Sequence, residues 1–189
     1  LEGLITLLRS RPAPAVQEVA EARQRFEKMG AFLGRPADAK CETVKAGSVP
    51  AESVAAPGAD ERRAVLYLHG GGYAIGSINT HRRLAYDVSA ASGARVLLID
   101  YRLAPEHPFP AAVDDSATAW RWLLKQGLAA DKLAIVGDSA GGGLTIATLV
   151  NLRDRKLGLP ACAVAISPWV DLEGAGTSMT TRSAQDPMV

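Results

Sequence analysis

Apolar and polar positions change their period several times along the chain, and each change predicts an element. Residues 16–33, VQEVAEARQRFEKMGAFL, place Val19, Ala22, Phe26 and Met29 on one helical face with charges opposite. That pattern predicts an amphipathic helix, either a core helix or a lid. Arg35 and Pro36 break it. The next stretch, CETVKAGSVPAESVAAPGAD (41–60), mixes β-branched residues with glycine and proline and predicts an exposed hairpin. Four short, nearly continuous apolar runs follow, AVLYLH (64–69), ARVLLIDY (94–101), KLAIVG (132–137) and ACAVAISP (161–168), which predict strands covered on both faces. Helical stretches lie between them near 80–92, 110–126 and 140–157, the last two ending in Gly127 and Gly158. Strand and helix alternate throughout, so the expected architecture is α/β: a mostly parallel, doubly wound sheet with right-handed crossovers.

Composition narrows the function classes. With 189 residues and 48% hydrophobic content, the chain can bury a substantial core in one domain. Its 21 basic and 20 acidic residues are well mixed and leave a net charge of +1. No basic stripe tracks a phosphate backbone and no polybasic patch faces a membrane, so nucleic acid is not expected as a partner, and small neutral ligands fit better. No apolar run reaches the roughly 18 residues that span a bilayer, so stable membrane insertion is not expected. Cys41 and Cys162 make no metal or redox spacing, which predicts free thiols, no metal site and a reducing, cytoplasmic setting. The chain opens on Leu1 rather than methionine, as a trimmed chain does.

In a sheet of this kind, ligands bind beyond the carboxyl ends of the strands. The run at 132–136 ends in Gly137-Asp138-Ser139-Ala140-Gly141, a G-x-S-x-G pattern between strand and helix. A serine at the apex of so tight a turn is strained and exposed, and the flanking glycines let strand and helix approach. The Ala140 amide, at a helix start, is then free to stabilise an oxyanion. The run at 64–69 leads into HGGGYAIGS (69–77), whose glycine amides can crowd an anion. Phosphate binding is disfavoured, because Ile75 stands where G-x-G-x-x-G needs its third glycine and no G-K-[ST] occurs. An oxyanion hole uses the same physics, with Gly71 and Gly72 joining Ala140.

HGGG (69–72), DYRLAPEHPFPAA (100–112) and GDSAGG (137–142), in this order, resemble the hormone-sensitive-lipase family of α/β-hydrolases, its bacterial carboxylesterases above all. The resemblance covers essentially the whole chain. It implies a central sheet flanked by helices under a helical cap, and hydrolysis of short-chain acyl esters through a serine acyl-enzyme, with no cofactor and no metal. Carried over by position, Ser139 is the nucleophile and Gly71, Gly72 and Ala140 form the oxyanion hole. Tyr73, Asp138 and Trp169 are candidate pocket residues. Residues 1–35 would be amino-terminal cap helices, 36–168 the hydrolase core and 169–189 the start of a second cap segment. The substrate would be a small-molecule ester, and a homodimer is compatible with the family.

The base is the difficulty. In α/β-hydrolases the acid and histidine follow the nucleophile, whereas His69, His81 and His107 all precede Ser139. His69 is expected to hold the glycine loop in shape, His107 to be a structural loop residue, and His81 to be partly solvated near a helix start or at the pocket rim. Asp138 is expected to make structural hydrogen bonds at the elbow rather than to tune the serine, and Asp100, Asp114 and Asp115 to be structural. The carboxylates after Ser139 are Asp154, Asp171, Glu173 and Asp186; Asp186-Pro187 resembles an acid of this family, but no buried strand precedes it, so it is expected to be a cap residue. The expectation is therefore that the chain is the amino-terminal part of a hydrolase whose acid and histidine lie beyond Val189 in the same gene product. The alternatives are a non-catalytic small-molecule receptor on the same fold and an inactive fragment that needs its downstream segment.

Overall fold

The computed structural model describes residues 19–182. The amino-terminal helix α1 (Val19–Leu33) is followed by β1 (Lys40–Ala46), β2 (Val49–Ala55) and β3 (Asp60–Leu68). Then come α2 (Ile78–Ser92), β4 (Ala94–Ile99), α3 (Ala111–Lys125), β5 (Leu133–Asp138), α4 (Ala140–Asp154), β6 (Cys162–Ile166) and the single-turn helix α5 (Ser178–Thr181). The strands form one sheet in the order β1-β2-β4-β3-β5-β6. The four apolar runs pair in parallel, while β1, β2 and β4 are joined by antiparallel ladders. This is the α/β-hydrolase architecture, with a mixed sheet.

Alternation along the central strands divides the core into two layers. Leu66 and Leu68 of β3, Leu97 and Ile99 of β4 and Ile135 of β5 pack with Trp120 and Leu123 of α3 and Leu144 and Leu152 of α4. Val65, Tyr67, Val96, Leu98 and Val136 point to the other face, with Ala85 of α2. Each such side chain withdrawn from water contributes about 1.5–3 kcal/mol. Helix α2 is held at its start by a capping box, in which Ser77 Oγ accepts from the Thr80 amide and Thr80 Oγ1 accepts from the Ser77 amide.

Three expectations are corrected. The stretch 41–60 does contain a hairpin, but β2 is an interior strand bonded to β4, and Ala51 and Val54 are buried. Even Glu52 is buried there, because Arg82 of α2 forms a two-pronged ion pair with it. The packed face of α1 runs through Phe26 and Gly30 rather than Met29, which is 52% exposed. At Gly30 a Cβ would stand 2.6 Å from the Thr80 Cα, so glycine sets how closely α1 crosses α2. Helix α4 stops at Asp154, three residues early, because Lys156 takes the left-handed position (φ 55°) and the Leu157 amide closes on the Leu152 carbonyl. On β6, Val164 and Ile166 are exposed among the described residues. No helix among the described residues is long and apolar enough to cross a membrane.

Candidate active site

Parallel pairing of β3 with β5 sets Leu68 opposite Gly137, so the segments leaving both strands emerge side by side. Ser139 is the first residue beyond β5, with φ 52° and ψ −120°, and it is exposed. Such a conformation costs a non-glycine residue roughly 1–3 kcal/mol and persists only when its surroundings enforce it. Here they do. The Ser139 amide donates to the Ile166 carbonyl (2.9 Å), and the Ser139 carbonyl accepts from Gly143 (3.1 Å) and Trp169 (2.9 Å). Helix and strand touch at the two flanking glycines: a Cβ on Gly137 would strike the Gly141 carbonyl, and one on Gly141 would strike the Leu68 carbonyl. Ala140 is buried as the first residue of α4, where the helix end is electropositive.

The glycine loop coils beside this elbow. Gly71, Gly72 and Tyr73 have φ of 120°, 61° and 60°, and the Gly71 carbonyl accepts from the Ala74 and Ile75 amides. Among the described residues, none accepts a hydrogen bond from the amides of Gly71, Gly72 or Ala140. Tyr73 and Trp169 come together across the start of α4, with ring centroids 6.2 Å apart and the Tyr73 hydroxyl 3.1 Å from where a Gly143 Cβ would stand. Burial pushes the Tyr73 phenol up from its ordinary value.

Asp138 joins loop to elbow. Its Oδ1 accepts from Tyr67 Oη (2.9 Å) and the Gly70 amide (3.0 Å), and His81 Nε2 lies 3.6 Å from its Oδ2. Burial pushes this carboxyl up, but hydrogen bonding and charge from His81, Tyr67 and Gly70 outweigh it and hold it below the usual carboxylate range. Asp138 thus makes structural hydrogen bonds. His81 is buried rather than partly solvated, bonded to Thr80 Oγ1 (2.8 Å) and edge-on to Phe26. No local pattern reveals this contact, since Asp138 lies 57 positions from His81.

His69 is fully buried, with Nδ1 2.8 Å from the Gly70 carbonyl and its ring between those of Tyr101 and His81. Gly76 leaves room for that imidazole, since a Cβ there would stand 2.5 Å from Nδ1. Burial is the main cause that lowers the His69 pKa to about 4. The unfolded chain therefore binds a proton near pH 6.5 that the folded chain refuses until pH 4. Stability is full above about pH 6.5 and falls by about 3 kcal/mol as the pH drops to 4. Denaturant titrations across that range should show the loss, and His69→Asn, whose amide can still donate to Gly70, should flatten it. An unchanged slope in the variant would place its origin elsewhere.

The other carboxylates are structural where the structure describes them. Asp115 is buried in a two-pronged pair with Arg102, and Asp114 meets Arg155. Asp100 accepts from the Ile78 amide. Asp154 pairs with Arg153, and Asp171 accepts from the Glu173 and Gly176 amides. Asp186 and residues 1–18 of the proposed cap lie outside the described residues. His107 sits in an exposed loop, its amide bonded to Leu103. None of the three histidines is hydrogen-bonded to Ser139.

Residues 65–189 match a protein family described as alpha/beta hydrolase fold. The chain belongs to this family and is of its hormone-sensitive-lipase type. It is 44% identical over 169 residues to an acetyl-hydrolase of Streptomyces hygroscopicus, covering 89% of this chain and 56% of that protein. It is 38% identical over 169 residues to an ethyl acetate hydrolase of Pseudomonas putida, covering 82% and 53%. A crystal structure of an esterase from the bacterial hormone-sensitive lipase family superposes with a TM-score of 0.93 at 45% identity, over 100% of this chain and 63% of that one. The chain spans about half the length of the curated relatives it matches.

Proposed function

We propose that this chain carries the nucleophile and oxyanion hole of a carboxylesterase that hydrolyses short-chain acyl esters. The observation that carries the reading is an exposed, strained Ser139 beside three backbone amides with no partner among the described residues. Ser139 Oγ attacks the ester carbonyl carbon while a base takes its proton. The negative charge formed on the carbonyl oxygen is met by the amides of Gly71, Gly72 and Ala140. Cleavage of the C–O bond releases the alcohol, which leaves with that proton, and water then hydrolyses the acyl-serine. Relatives named acetyl-hydrolase and ethyl acetate hydrolase support a short acyl group. They also disfavour a receptor on the same fold. Tyr73 and Trp169, facing each other beside the elbow, would line the pocket.

The base is assigned to a carboxyl-terminal segment of the same gene product. His69 is locked beneath the glycine loop, His81 is engaged by Thr80 and Asp138, and His107 is bound into another loop. Residues 19–33 would belong to a cap, since α1 packs on α2 outside the sheet. A cytoplasmic setting belongs to the same proposal and rests on two unpaired cysteines.

The test is made on the full-length protein with p-nitrophenyl acetate and butyrate, and the informative variant is Gly72→Ala. A Cβ at Gly72 meets nothing within 4 Å, whereas one at Gly71 would strike the Ile75 carbonyl and distort the loop. Alanine at φ 61° costs only about 1–2 kcal/mol, so the fold should survive. Turnover should nonetheless fall roughly 10²-fold or more, because an alanine that turns its peptide to relieve this left-handed strain misdirects one oxyanion donor. Full activity in a folded Gly72→Ala protein would remove this loop from the mechanism.

A further inference from the structure

Arg23 lies on the polar side of α1, and its guanidinium reaches the loop that carries the oxyanion amides. Its Nε donates to the Ala74 carbonyl (2.8 Å) and its Nη2 to the Ala104 carbonyl (2.9 Å). The Glu106 carboxylate accepts from Nη1 (2.8 Å) and Nη2 (2.7 Å). Ala74 is two residues beyond Gly72, and its amide closes on the Gly71 carbonyl. Ala104 in turn donates its amide to the Tyr73 carbonyl (2.8 Å). One planar side chain of α1 therefore ties that helix to two separate segments, the loop at 69–77 and the loop at 101–110.

We propose that Arg23 is a positioning residue for ester hydrolysis, holding the 69–77 loop so that the Gly71 and Gly72 amides stay aimed at the oxygen of an acyl group on Ser139. The inference rests on the esterase reading above. Two observations separate this arm from an ordinary surface ion pair, which contributes little. The first is that two of its acceptors are main-chain carbonyls of the loops themselves. The second is that Tyr73, a non-glycine residue directly after those glycines, is held at φ 60°, and strain of that kind persists only where the surroundings enforce it. Lysine would keep the charge but not the planar fork that meets two carbonyls and a carboxylate together. Turnover thereby depends on the seating of the amino-terminal helix, although no atom of that helix need touch substrate.

The test compares Arg23→Gln, Arg23→Lys and Glu106→Gln in the full-length protein, counting competent sites with a fluorophosphonate. Arg23→Gln should lower kcat per titrated site about tenfold and leave KM within about twofold, because misplaced oxyanion donors affect the transition state more than the bound ester. Affinity for a phenylboronic acid, whose tetrahedral serine adduct places an oxygen at the same amides, should fall by the same factor as kcat. Glu106→Gln keeps both carbonyl contacts and should lose less, and Arg23→Lys should fall between the two. Should Arg23→Gln fail to fold, Arg23→Lys carries the same reading. A lower thermal midpoint with kcat per site and boronate affinity unchanged would show that Arg23 merely anchors α1, and would overturn the proposal. If the unsubstituted protein turns over no ester, the esterase reading itself falls; if it does and the variants match it, only this inference falls.

Discussion

Replacing Ser139 by alanine in the full-length protein should lower turnover of short-chain aryl esters by a factor on the order of 10⁴ to 10⁶, the loss seen when a serine nucleophile is removed. Covalent labelling of the 133–154 segment by a fluorophosphonate should vanish with it. The expectation is sharp because the substitution changes little else. Alanine keeps a Cβ, so the strain at φ 52° stays as it is, and the serine side chain does not cap α4. Thermal stability should therefore match that of the unsubstituted protein. A folded Ser139→Ala protein with unchanged turnover would end the assignment of Ser139 as the nucleophile.

The central sheet was legible because its strands are buried on both faces and read as apolar runs, with glycine and proline between them. Strand β2 was not. Its sequence VPAESVA carries a proline and a glutamate, and the glutamate is buried only because Arg82, thirty positions away on α2, reaches it. A pattern of single positions cannot show a charge that is tolerated through a distant partner. The same limit hid the loop's supports. Arg23 looks like a solvent-facing charge on an amphipathic helix, and His81 like a polar residue near a helix start. Both owe their places to contacts with segments more than fifty residues away. The elbow and the glycine loop were legible for the opposite reason: each is a local backbone device whose glycines are demanded by atoms a few residues off or on the adjoining strand.

Gly141 carries that demand furthest. A Cβ there would strike the Leu68 carbonyl and stand 2.6 Å from the His69 carbonyl, at and just beyond the end of β3, a strand held by ladders on either side. A side chain could turn away, but these are main-chain atoms. Gly141→Ala must therefore lift the start of α4 off the sheet. That opens the contact of Leu144 with the core and breaks the approach to Gly137 that bends the chain at Ser139. The expected cost is roughly 4 kcal/mol or more, at the far end of what one substitution does. Gly58→Ala is the control, because that glycine has φ 80° with nothing within 4 Å of a Cβ, so it carries conformational strain without collision and should cost only about 1–2 kcal/mol. Urea unfolding of both variants measures the difference. Equal stabilities would mean that the elbow can open at little cost, and that the close crossing of α4 over β3 is not what holds Ser139 in place.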